Sequence, residues 1–434
     1  MALSRALALG ISVCRCAAGA SAETFDQQVE ALVRPLANGR ADIVFFKISL
    51  FGQPFPLIVL WLAVAALFFT LYMGFLNIRG FGLAIRHVKG HFHNPAANGE
   101  ISHFQAVATA VSGTVGIGNI GGVAVAIVIG GPGAAFWLVV AGFLSMSTKL
   151  VECTLGVKYR RDNADGSVSG GPMYYLERYL KDRGAPRWGK LLGSFYALSL
   201  VIGCLGIGNM FQSNQAYVQF VIITGGEQSF FADKGWLFGL LIAAAVGFVI
   251  IGGIKSIARV AAHVVPFMGI LYAISAVLII GMSWRHIPAS FVLIFDNAFS
   301  LQSATGGMVG AIIVGFQRAL FSNEAGIGSA SIAHSAVQTD DPASEGLVSL
   351  LEPFIDTVVI CTLTSLVIIT TAYPAGLMES GFEGIALTSA AFEHHVSWAP
   401  YPLAVAALLF AFSTSISWSY YGPVSYTHLR AHET

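Results

Sequence analysis

Long apolar runs separated by short polar stretches organise this chain. Nine such windows run at about 56–77, 103–129, 132–154, 191–222, 236–253, 260–283, 305–333, 347–372 and 400–421. Several reach the roughly 20 residues that a helix needs to cross a bilayer. The pattern predicts an all-α polytopic membrane protein. Two windows are interrupted. Ser112-Gly113-Thr114-Val115-Gly116-Ile117-Gly118-Asn119-Ile120-Gly121-Gly122 lies inside the second, and Arg318-Ala319-Leu320-Phe321-Ser322-Asn323-Glu324-Ala325-Gly326-Ile327-Gly328-Ser329 inside the seventh. Glycine in a helix interior costs roughly 1 kcal/mol relative to alanine, and backbone opened toward lipid leaves polar groups without partners. Both stretches therefore predict discontinuous helices, opened toward one internal site.

Composition agrees. The chain is 55% hydrophobic and 11% charged, where soluble domains carry about 25% charge, and its mean hydropathy is +0.72. The partner this implies is the lipid bilayer. Zero net charge gives no reason to expect nucleic acid, and no obligate protein partner is evident. The placement of basic residues predicts orientation, because cytoplasmic loops collect Lys and Arg. Arg79, Arg86 and Lys89 follow the first window, a dense set from Lys149 to Lys190 follows the third, and Lys255 and Arg259 follow the fifth. The alternate loops hold none between Gly130 and Gly133, then only Lys234, then only Arg285. The first set of loops is thus expected in the cytoplasm, with the mature N-terminus outside.

On this topology the first broken helix enters from the cytoplasmic face and the second, five spans later, from the outer face. An odd number of spans per repeat inverts the second copy. The expected organisation is an additional helix at 56–77, a first five-helix repeat over 103–283 and an incomplete second repeat over 305–422. A leading broken helix in each repeat is the leucine-transporter-type arrangement found among secondary transporters.

Both ends of the chain read differently from its middle. Arg5, the apolar stretch Ala6 to Val13 and Ala20-Ser21-Ala22 read as a signal peptide over 1–22, followed by an extracytoplasmic segment over 23–55. The polar tail 423–434 suits neither a span nor a helix cap and resembles a translated sequencing adapter fused to a truncated gene. Cys153, Cys204 and Cys361 lie in or beside apolar windows far apart and read as packing residues, while Cys14 and Cys16 fall in the leader.

A broken helix supplies its own chemistry. One half exposes unpaired N–H groups at a positive dipole end, which hold a carboxylate without a basic side chain. The other ends in free carbonyls suited to Na⁺ or an ammonium group. Gly113, Gly116, Gly118 and Gly121 let a ligand approach the backbone, and Thr114 and Asn119 add oxygen atoms at the break. In the second interruption, Arg318, Ser322, Asn323 and Glu324 are polar groups at membrane depth, which are costly there and usually functional. Ser322 and Asn323 are candidate ligand or gate contacts, with Phe321 as a lid. Asp356 is a candidate partner for Arg318. Ser413 and Thr414 offer hydroxyl oxygens to complete a Na⁺ cage, the alternative being bonds back to their own helix.

At these residues the chain resembles the sodium:alanine (amino acid:cation) symporter family. The similarity rests on Thr114-Val115-Gly116-Ile117-Gly118-Asn119-Ile120-Gly121-Gly122, Gly130-Gly131-Pro132-Gly133-Ala134, Gly170-Gly171-Pro172-Met173-Tyr174-Tyr175, Leu320-Phe321-Ser322-Asn323-Glu324-Ala325-Gly326, Phe354-Ile355-Asp356-Thr357 and Ser417-Trp418-Ser419-Tyr420-Tyr421-Gly422. The resemblance implies a leucine-transporter-type fold with about eleven spans, two of them missing here. It implies uptake of alanine, glycine or a similar small amino acid with Na⁺ across the bacterial inner membrane. Gly116 and Gly118 would hold carboxylate and ion, and Thr114, Asn119, Thr414 and Trp418 would line or flank the pocket. Ile117 stands where many relatives carry threonine, which leaves only a main-chain contact there. The expected cycle closes an outer gate over Phe321 and Trp418.

Other readings have less support. There is no HExxH or GxSxG, and the histidines suggest no catalytic cluster; His87, His91 and His93 read as part of a solvated basic loop. An amino-acid-binding membrane receptor would usually carry an appended soluble domain, and none is visible. Coupling to H⁺ in place of Na⁺ is the nearer alternative, with Glu324 or Asp356 as proton carrier.

Overall fold

The computed structural model describes residues 46–50, 53–92, 94, 96–163, 166–300 and 307–430. The leader expected over 1–22 and most of the segment 23–55 lie outside them. The chain divides into two compact units, Met1–Ile58 and Val59–Thr434. In the described part of the first, β1 (Lys47–Leu50) pairs with β2 (Gln53–Pro56) as an antiparallel hairpin, with Lys47 opposite Pro56.

Helices dominate the second unit. α1 (Leu57–Tyr72) and α2 (Phe81–Val88) precede the first broken pair, α3 (His103–Thr114) and α4 (Gly121–Gly130). Then follow α5 (Gly133–Lys158), α6 (Pro172–Asp182), α7 (Pro186–Ile223), α8 (Gly235–Ile250), α9 (Gly253–Met282) and α10 (Ile287–Phe299). α11 (Gly307–Asn323) and α12 (Ala330–Ser335) form the second broken pair, followed by α13 (Pro342–Ala372), α14 (Ile385–His395) and α15 (Pro400–Arg430). The small hairpin of β3 (Arg161–Asp162) and β4 (Val168–Ser169) is the only other sheet among the described residues.

Five of these helices are long and apolar enough to cross a membrane, and the α3–α4 pair, bent by 61°, makes a sixth. α1 and α8 are apolar but have 16 residues each, about 24 Å of helix against a hydrocarbon core of about 30 Å. Large apolar side chains face outward while charges face inward: Phe248 is 84% and Ile251 85% exposed, whereas Lys149 and Glu352 are fully buried. Water would punish that distribution, and lipid favours it. The protein is a multi-pass integral membrane protein.

Close packing brings the broken helices together. α5 packs against α11 and α13, and α3 lies between α9 and α15. At Gly156 on α5 an added Cβ would sit 2.8 Å from the Ser331 carbonyl of α12, so only glycine permits this approach.

Three features depart from the sequence reading. α2, α6, α10 and α14 fall in stretches that the sequence reads as loops; all four are short helices between the apolar windows. α15 was expected to end near Tyr421 but continues through Pro423 to Arg430, with Tyr421, Val424, Ser425 and His428 buried. Burial of one side of that last turn sustains a helix whose composition alone gave no reason for it. His87, taken as solvated, is only 9% exposed because its ring packs on Phe92 and His103.

Candidate functional site at two helix breaks

α3 starts with a reciprocal cap: the Ser102 hydroxyl accepts from Gln105 N, and the Gln105 carboxamide accepts from Ser102 N. It stops at Thr114, where Val115 and Gly116 turn extended, with ψ of 94° and −167°. One short turn, Ile117–Asn119, leads into α4. The leading N–H groups of α4 have no partners within the helix, and its first residues, Gly121 and Gly122, line a cavity of about 230 Å³ together with Phe211, Arg318, Phe321 and Glu383, among others.

Gly116 is tightly enclosed by side chains of two other helices. An added Cβ would lie 2.9 Å from Gln212 Oε1 and 3.0 Å from Thr414 Oγ1. The carboxamide of Gln212, on α7, accepts the Ile117 N–H at 3.0 Å. The Thr414 hydroxyl is buried, and among the described residues it has no hydrogen-bond partner. Phe321 approaches Gly118, where an added Cβ would lie 3.9 Å from its ring.

The second helix stops at Asn323. Glu324 adopts a left-handed φ of 56°, and Gly326 and Gly328 follow at 87° and 90°. Asn323 Oδ1 accepts the Ala325 N–H at 3.0 Å and so caps the break. Glu324 accepts a short hydrogen bond from the Ser329 hydroxyl across it.

Hydrogen bonds join the breaks. The Gly116 N–H donates to Asn119 Oδ1 at 2.9 Å, and Asn119 Nδ2 donates to Asp356 Oδ1 at 2.6 Å. The Thr357 hydroxyl donates to Asp356 Oδ2 at 2.7 Å and accepts from Asn323 Nδ2 at 3.0 Å. Asp356 and Thr357, inside α13 where its turns widen to i→i+5 bonding, thus bridge two openings some 200 residues apart in the chain.

The expected residues divide by what their side chains already do. Asn119, Asn323 and Asp356 brace the breaks. Ser322 meets Cys361 Sγ at 3.4 Å. Thr114 bonds back to Ala110 O and Val111 O, and Ser413 to Phe410 O. Trp418 is buried and donates to Gly113 O at 3.2 Å, which places it on the α3 side, away from Phe321 in the cavity. Arg318 does not pair with Asp356. Its Nη2 donates to Gly118 O at 3.3 Å and its guanidinium lies 5.0 Å from the Phe321 ring, because Asn119 and Thr357 already satisfy that carboxylate. Gln212 was not foreseen; it is one of three glutamines, with Gln215 and Gln219, in a long apolar run, and nothing local singles it out.

A lipid-embedded protein whose two broken helices face one small polar centre belongs to the class of secondary transporters. The model of the sodium:alanine symporter family matches residues 43–434, and the chain belongs to that family. It is 38% identical to the sodium/alanine symporter AgcS of Methanococcus maripaludis, over 86% of this chain and 81% of that protein. It is 36% identical to the amino-acid carrier protein AlsT of Bacillus subtilis, over 85% and 75%. With the probable sodium/glutamine symporter GlnT of the same organism it shares 35%, over 84% and 73%.

Proposed function

We propose that the chain imports alanine, glycine or a similar small amino acid together with Na⁺ by alternating access. The carrying observation is the orphaned Thr414 hydroxyl beside Gly116. A buried hydroxyl without a partner costs about 1–3 kcal/mol, and a bound cation or ammonium group would supply what it lacks. The donor set around it, a hydroxyl, a carboxamide and opened main chain, is the oxygen-rich kind that suits Na⁺ at a broken helix. The amino acid's carboxylate would take the N–H groups of Gly118 and Gly121, since those of Gly116, Ile117, Asn119 and Ile120 already donate within the protein. Phe321 would close the pocket from the cavity, and Trp418 would form its inner wall, with Arg318 holding Gly118 O in place.

The crowding at Gly116 favours small substrates. GlnT is named for glutamine, a larger amino acid, so family membership by itself does not fix side-chain size. The reading also places the protein in the plasma membrane with its N-terminus outside, from the charge asymmetry of the loops. Its test is labelled-alanine uptake into proteoliposomes with and without an inward Na⁺ gradient. Acceleration by Na⁺ at constant pH is expected. Uptake indifferent to Na⁺ and driven by a pH gradient would overturn the choice of ion.

A further inference from the structure

A second polar centre extends from the second break toward the side that the basic loops place in the cytoplasm. Glu345 is fully buried between two imidazoles. His103 Nδ1 contacts its Oε2 at short hydrogen-bond range, and His334 Nδ1 lies 2.5 Å from its Oε1. The other nitrogen of His334 faces Glu352 Oε2 at 3.6 Å. Lys149 Nζ lies 3.0 Å from Glu352 Oε1 and 3.3 Å from Glu152 Oε1, ion pairs with angles outside hydrogen-bond geometry. Glu152 Oε2 then accepts the Gly326 N–H at 2.9 Å, inside the second break.

Glu152, Glu345 and Glu352 are three buried carboxyl groups, and Lys149 is the one buried ammonium among them. His334 has a carboxylate at each nitrogen, an arrangement that favours the imidazolium. A Glu345 carboxylate facing neutral rings would be a buried charge left uncompensated. Such a charge is expensive in a dry interior. The ring of His87, on α2, lies 5.5 Å from that of His103 and is itself largely buried, with 9% of the residue exposed. The other charged groups around the cluster are Arg86 beside His87, Arg160 after α5, Asp340 and Asp341 before α13, and Glu324 at the second break. Arg160 is already held by the carbonyls of Ser335, Val337, Asn98 and Thr339.

We propose that His103, Glu345 and His334 form a proton-binding site that latches the inner face closed, with His87 as its link to the cytoplasm. His103 is the first residue of α3, the inner half of the broken helix, while Glu345 and His334 belong to α13 and α12. Inward opening on the proposed cycle must draw α3 from these helices, which separates His103 from Glu345. The imidazolium then returns its proton to the inner solution as imidazole plus H⁺. The proton leaves on the side from which it came, so it is a regulator and not cargo. Acid inside keeps the latch shut and slows uptake; neutral pH releases it.

This inference rests on the transport reading, and its test separates the two. Na⁺-driven alanine uptake is measured in proteoliposomes at fixed external pH while internal pH is set from 5.5 to 8. Expected is an initial rate that rises at least about threefold with a one-proton inflection, lost in His103→Gln and kept in His91→Gln, an exposed control. A wild-type rate indifferent to internal pH, or an inflection that survives in both His103→Gln and Glu345→Gln, overturns the latch alone. Should those variants fail to fold, a pH-indicator dye with wild-type protein decides: about one proton per chain exchanged on adding alanine and Na⁺ supports it, and none overturns it. No Na⁺-driven uptake at any internal pH would overturn both readings.

Discussion

Thr414 and Asn119 show how residues at one break divide between function and scaffold. The Thr414 hydroxyl has no protein partner to lose. Thr414→Val removes a buried unpaired hydroxyl and should therefore leave the thermal midpoint of the ligand-free protein unchanged or raise it, while weakening Na⁺ binding about tenfold, or about 1.4 kcal/mol, read by Na⁺ titration of alanine binding. Asn119 does the opposite work, holding the Gly116 N–H and the Asp356 carboxylate together. Asn119→Ala leaves the Gly116 N–H buried and unpaired and the buried Asp356 carboxylate short of one of its donors, with the Thr357 hydroxyl still in place. It should cost about 1–3 kcal/mol and lower the thermal midpoint in detergent, with or without ligand. An equal effect of both substitutions on Na⁺ binding, with neither changing stability, would contradict this division.

At the scale of elements, helix existence was legible because apolar length announces it, and both breaks were legible because glycine clusters there defeat helical propensity. Gly328, at φ of 90°, shows why they must be glycine: an L-residue pays roughly 1–2 kcal/mol in the left-handed region. Gly328→Ala should therefore lower stability by about that amount or more and reduce uptake, while Ala325→Gly should spare both; comparing their thermal midpoints and initial rates checks this. The pairing of side chains was not legible. His103 and Glu345 are 242 residues apart, and nothing local marks two histidines and four ionised groups as neighbours. Gln212 was hidden for the same reason. Asn119, Asn323 and Ser413 were read as ligands because their oxygens sit at the right places in the chain, yet the fold uses those oxygens to tie off backbone. Sequence shows which residues can coordinate; only packing shows which are already taken.

For the whole molecule, the proposed cycle moves one Na⁺ with a zwitterion of no net charge, so one positive charge enters per turnover. A potential of 100 mV then contributes about 2.3 kcal/mol, a further forty- to fiftyfold accumulation of alanine at equal Na⁺ on both sides. Proteoliposomes clamped by a potassium diffusion potential with valinomycin measure this directly. The accumulation ratio should rise about tenfold for each 60 mV, inside negative. A steeper slope would mean a second coupled Na⁺, for which the main-chain openings at both breaks leave room. A slope of zero would mean that a counter-charge travels outward, and the cycle would then be electroneutral exchange. The slope also bears on the latch: a proton bound and returned on the same side adds no charge movement, so changing internal pH should alter how fast accumulation is reached and leave its final level where it was.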